Sequence, residues 1–109
     1  MHMISILKNF SENPAGRYVT DGPNSGQRFR DELLTPALRT NDEVVVNLDG
    51  ALGFGSSFLE EAFGGLVREC GFAATELTRK LRIVSNQSIY EKRVWRYINA
   101  AATQKKRSV

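Results

Sequence analysis

The segment Val44–Gly71, VVVNLDGALGFGSSFLEEAFGGLVRECG, constrains the fold more than any other part of the chain. Val44, Val45, Val46 and Leu48 make a β-branched apolar run of strand length, the pattern of a strand covered on both faces. Gly50, Gly53 and Gly55 follow, where the chain must turn without a Cβ in the way. Ser57 and Glu60 have the spacing of a capping box, in which the serine oxygen takes a free helix N–H and the glutamate reaches back. Leu59, Ala62, Phe63, Leu66, Val67 and Cys70 then recur at helical spacing as one buried stripe. Gly71 stands where a helix-ending glycine belongs. The spacing predicts a buried strand, a tight turn and an amphipathic helix.

With 109 residues the chain has room for one domain and a single core. No apolar run approaches the roughly 20 residues a bilayer span requires. The N-terminus turns polar within a few residues, so no signal peptide is expected and the cytoplasm is the default compartment. Cys70 lies on the apolar stripe, where it reads as a small buried hydrophobe. His2 is the sole histidine, and Met1-His2-Met3 has the look of vector residues before a native start at Met3. Without it, Ser-His and Cys-His nucleophile pairs and the usual zinc ligand sets are excluded. No catalytic residue, metal or cofactor is expected, and the chain reads as a non-enzyme.

Met3 to Phe10 reads as a first strand and Arg17-Tyr18-Val19 as a second that completes a hairpin, with Asn13-Pro14 and Gly16 turning between them. Asn24 or Ser25 caps a helix through about Leu34, with Phe29, Leu33 and Leu34 inward and Arg28, Arg30, Asp31 and Glu32 outward. Pro36 ends or kinks it. After the central segment come a short helix around Glu76 to Lys80 and a last strand, Leu81 to Val84. Ser88 caps a final helix to about Ala102, with Val94, Ile98 and Ala101 inward. The domain is expected over residues 3–103, and residues 104–109 as a basic flexible tail. Helical crossovers between the later strands imply parallel neighbours.

Asn47-Leu48-Asp49-Gly50-Ala51 and Gly55-Ser56-Ser57-Phe58-Leu59 together resemble the strand–turn–helix signature of the STAS domain, named for sulfate transporters and anti-sigma factor antagonists. With Ser25-Gly26-Gln27-Arg28-Phe29-Arg30 ahead of them, they more closely resemble a small STAS-like domain family of unknown function. The likeness extends over roughly residues 16–98. It implies an α/β fold, a single STAS-like domain with a four- to five-stranded mixed sheet flanked by helices. In the anti-sigma antagonists the second serine of the pair is phosphorylated by a partner kinase of the histidine-kinase-like ATPase fold, and the phosphorylated protein releases that partner. By position, the acceptor here would be Ser57, with Ser56 beside it. The chain departs from the pattern at Gly55, where the family has aspartate, and at Phe58, where it has glycine.

The implied function is a non-enzymatic regulatory module that binds a protein partner, with an ATPase of that fold the implied candidate. Asp49, Phe54, Gly55, Phe58, Glu60 and Glu61 are the expected contact residues, and Phe54 and Phe58 would form an apolar rim around the serines if exposed. A core position wedging the turn against the sheet is as good a reading for Phe58 and a better one for Phe54. A phosphate on Ser57 would meet free N–H groups and the positive end of the helix dipole, while Glu60 and Glu61 would oppose it. Capping alone is a sufficient job for Ser57, worth about 0.5–2 kcal/mol, and on residue physics it leads over the switch. The loop Asp21-Gly22-Pro23-Asn24-Ser25-Gly26 lacks the G-K-[ST] of a P-loop and reads as a turn and cap. A second reading is a nucleic-acid adaptor using Lys92, Arg93, Arg96, Lys105, Lys106 and Arg107, with Tyr90, Trp95 and Tyr97 interleaved. The net charge of only +3 favours a solvated face instead. No membrane contact is expected.

Overall fold

The computed structural model describes residues 1–51 and 55–107, the last two as backbone only. The sheet has three parallel strands, β1 (His2–Ser5), β2 (Val44–Asn47) and β3 (Leu81–Val84), in the order β1-β2-β3. Ile4, Val46 and Ile83 are paired across it, as are His2, Val44 and Leu81. Helix α1 is continuous over 26–40, α2 over 56–68, α3 covers Ala74–Lys80 and α4 Ser88–Arg107.

In place of the expected four to five mixed strands, the described residues form three, all parallel, and the hairpin is absent among them. Local side chains explain both changes, because they satisfy the backbone groups that strand pairing would have used. The Ser5 N–H donates to Asn9 Oδ1 at 2.7 Å, and Ser5 Oγ accepts from the Lys8 N–H at 3.2 Å. That ends β1 after four residues and winds Ile6–Phe10 into a π turn. Asp21 Oδ2 accepts from the N–H groups of Arg17 (3.2 Å) and Tyr18 (2.8 Å), and Val19–Asp21 closes as a 3₁₀ turn. Tyr18 and Val19 are left exposed.

Helix α1 begins where the sequence places it, with Ser25 Oγ accepting from the Arg28 N–H at 3.2 Å. It runs through Pro36 to Thr40 instead of stopping. The turn before the proline is widened, with the Thr35 N–H reaching the carbonyl of Arg30, which eases the clash a proline ring makes with the carbonyl four residues back. The α2 stripe is as read: Leu59, Ala62, Phe63, Leu66 and Val67 are buried, Cys70 half-buried. Gly71, at φ +80°, ends it, and the Phe72 N–H returns to the Leu66 carbonyl at 3.0 Å. Helix α4 is longer than predicted. Residues 104–107, expected as a flexible tail, continue it.

The core lies between one face of the sheet and the helices. Ile4, Val44, Val46, Leu81 and Ile83 join Phe29, Leu38, Phe58, Phe63, Leu77 and Ile98 in one cluster. The opposite sheet face carries Met3, Val45 and Arg82 in one row and Ser5, Asn47 and Val84 in the next. Met3, Arg82 and Val84 are exposed there. The central strand is thus covered on one face, not on both as its apolar run suggests. Helices α1 and α2 cross in close contact at Gly26, where any Cβ would collide with the Phe58 carbonyl oxygen. The rings of Phe10, Phe29, Phe58 and Phe63 pack around this crossing.

Candidate functional site

The start of α2 follows the carboxyl end of the central strand, separated from it by residues 48–55. Asn47 and Asp49 shape the exit. The Asp49 N–H donates to Asn47 Oδ1 at 2.8 Å, and Asp49 Oδ1 accepts from the Asn86 N–H at 2.8 Å. Asp49 therefore ties the loop after β2 to the loop after β3, a structural job in addition to any contact with a partner.

The capping box is not formed. Gly55, extended at φ −75° and ψ 152°, is the N-cap, and no side chain caps the helix. Ser56 and Ser57 are its first two residues, both exposed. Neither hydroxyl has a hydrogen-bond partner among the described residues. Of the expected contact residues, Gly55 is exposed, Asp49 and Glu60 are half-buried, and Phe58 and Glu61 are buried. Phe58 is thus a core residue wedged against Phe29 and Phe10, not a rim residue. Phe54 lies outside the described residues.

Glu60 is taken from its capping role by a charge cluster that sequence reasoning missed. Arg17 Nη1 donates to Glu60 Oε1 at 2.5 Å and to Glu61 Oε1 at 3.3 Å. Arg68 Nη1 donates to Glu60 Oε2 at 2.7 Å, and its Nη2 to Glu61 Oε1 at 3.2 Å. Arg30, placed outward by the helical pattern, is instead buried. Its Nη1 donates to Glu61 Oε2 at 2.5 Å and to the Glu61 carbonyl at 3.0 Å. Gly65 makes room for that guanidinium, since any Cβ there would run into it. Three arginines from three parts of the chain converge on two adjacent carboxylates of α2.

The charges respond to one another. The hydrogen bond to Glu60 outweighs burial and holds the Arg17 guanidinium above its ordinary value. Burial is the largest influence on Arg30 and pulls it down, but the bonds to Glu61 and Asp31 together win and raise it. For Glu60 burial pushes upward, and the bonds from Arg68 and Arg17 overcome it, leaving the carboxyl below its ordinary 4.5. A lowered folded value means that the stabilisation from Glu60 is fully present above 4.5 and is lost as pH falls through the lowered value. Thermal melts from neutral to acid pH should therefore show Glu60→Gln less stable than wild type at neutrality, with the gap closing in acid. A gap that stays constant would show that Glu60 contributes nothing through its charge.

Arg17 also braces the neighbouring turn. Its carbonyl accepts from the Gln27 N–H at 3.0 Å, and Gln27 Oε1 accepts from the Val19 N–H at 3.0 Å. The exposed Tyr18 and Val19 are thereby held on a fixed turn anchored to the first half of α2. No sequence signal links Arg17 to Glu60, 43 positions on.

The basic residues of α4 lie on several sides of the helix. Lys92 and Arg96, four residues apart, are exposed together, Arg93 is half-buried, and Lys105 falls about half a turn round from Arg96. The side chains of Lys106 and Arg107 lie outside the described residues. Tyr90, Trp95 and Tyr97 are partly buried against the core, so they pack α4 onto its neighbours. Among the described residues no group of three or more histidine, cysteine or acidic side chains could hold a metal. No helix there is long and apolar enough to cross a membrane.

A compact sheet of parallel strands, backed by helices and followed after its central strand by an exposed helix start, defines an α/β domain. The pattern of the STAS-like domain of unknown function matches residues 25–91, from the cap of α1 into α4, and the chain belongs to that family. No curated protein and no solved structure gives a significant match.

Proposed function

We propose that this chain is a non-enzymatic regulatory module. It docks a protein partner through the first turn of α2 and the adjoining Arg17–Asp21 turn, with Ser57 as the switch residue. The observation that carries this reading is that both serines are exposed and that neither hydroxyl has a hydrogen-bond partner among the described residues. Ser57 does not cap the helix, since Gly55 holds the N-cap position and no side chain caps it. The carboxylates that would repel a phosphate are neutralised, since Glu60 and Glu61 are each bonded to two or more arginines. A phosphate at Ser57 would sit among the free N–H groups of a helix spanning 56–68. Tyr18 and Val19 supply the apolar contact that Phe58 cannot. The resemblance to the anti-sigma antagonists supports a partner of the histidine-kinase-like ATPase fold.

The reading is tested by affinity capture from the native cell with wild type, Ser57→Ala and Ser57→Asp, with phosphate mapped by mass spectrometry. A partner held by wild type and Ser57→Ala but released by Ser57→Asp is the expected result, with phosphate on the peptide containing Ser57. Identical partner profiles for all three proteins, with no phosphate, would refute the switch.

A further inference from the structure

At the opposite end of α2, about 16 Å along its axis from the serine pair, the surface opens into a cavity of about 460 Å³. Its volume falls within the roughly 300–1,000 Å³ typical of small-molecule sites. Gly71 ends α2 and turns the chain, Phe72 is buried, and α3 starts at Ala74. The last turns of α4 pass over this corner with Ala102 and Lys105. The lining is mostly apolar, formed by Val67, Gly71, Phe72, Ala73, Ala74 and Ala102, with Thr75 as a neutral polar member. The small side chains at 73, 74 and 102 leave the space open.

Among the described residues, Lys105 contributes the single charge in the lining. Its ammonium makes a long 3.4 Å hydrogen bond to the Val67 carbonyl and has no carboxylate partner among the described residues. An ammonium carries three donors, so two remain for another acceptor. An apolar cleft with one uncompensated cation at its rim has the chemistry of a site for an amphipathic anion: the apolar part displaces water from the cleft, and the charge fixes the orientation. We propose that this cavity binds a small amphipathic carboxylate, an alkyl or aryl acid whose carboxylate pairs with Lys105. The site is independent of the serine pair and of the partner read there.

The test is an amide NMR titration of the full chain with octanoate, octylammonium and octanol as probes. Octanoate should give saturable shifts at Ala73, Ala74, Ala102 and Lys105, and octylammonium should not. Lys105→Met, at an exposed position, should weaken octanoate binding about tenfold or more and leave octanol unaffected. Ala102→Phe should fill the cleft and abolish both, its fold checked in the same spectrum. Absence of saturable shifts at those amides would overturn the proposal. So would equal binding of octylammonium, or octanoate affinity unchanged in Lys105→Met.

Discussion

Replacing Glu61 with alanine is expected to lower the unfolding free energy by about 3–5 kcal/mol, the cost of removing one partner of a buried ion pair. The side chains of Arg30 and Glu61 are only 5% and 4% exposed. Without the carboxylate, the Arg30 guanidinium stays buried with only the Glu61 carbonyl and Asp31 to receive it. The pair need not be a net source of stability, because taking two charges out of water offsets most of their attraction. Its removal as a unit should therefore cost much less. Urea unfolding of Glu61→Met, Arg30→Met and the double variant Arg30→Met/Glu61→Met forms the cycle. Single losses of several kcal/mol with partial recovery in the double are expected. Additive losses would mean that the two side chains are not coupled.

Phe29→Ala should be about as damaging, at about 3–5 kcal/mol. Phe29 is fully buried, and its ring centroid lies 5.3 Å from that of Phe10, 6.0 Å from Phe58 and 6.4 Å from Phe63. These rings come from the turn after β1 and from helices α1 and α2, so the cavity would open where all three elements meet. The neighbouring backbones already touch at Gly26 and cannot close further to fill it. Thermal or urea unfolding measures the loss. A cost below about 1 kcal/mol would mean that this junction collapses freely, against the close approach seen at Gly26.

What the sequence reveals and what it hides follow from range. Apolar periodicity is local, and it locates β2, the stripe of α2, β3 and the inward residues of α4. The Ser25 cap and Gly71 are also local signals, and both are in place. The failures arise where a distant or competing side chain decides. Ser57-x-x-Glu60 has the letters of a capping box, but Arg17 and Arg68 bind the glutamate first. Arg30 looks like a surface cation on its helix until Glu61, 31 positions on, gives it a buried partner. Residues 17–19 have strand-forming side chains, but Asp21 captures the N–H groups of Arg17 and Tyr18 and Gln27 Oε1 that of Val19. The serine pair was legible as a candidate. The turn beside it, with Tyr18 and Val19, was not, because nothing in the linear pattern places it next to α2.

The functional proposal depends on serine hydroxyls that have no hydrogen-bond partner among the described residues. The unfolding free energy of Ser57→Ala tests this most directly. Alanine is the better helix former, so stability should be unchanged within about 0.5 kcal/mol, as for a surface position, or slightly raised. A loss of about 1 kcal/mol or more, the usual cost of a missing N-cap, would mean that Ser57 holds the helix start and would contradict the account.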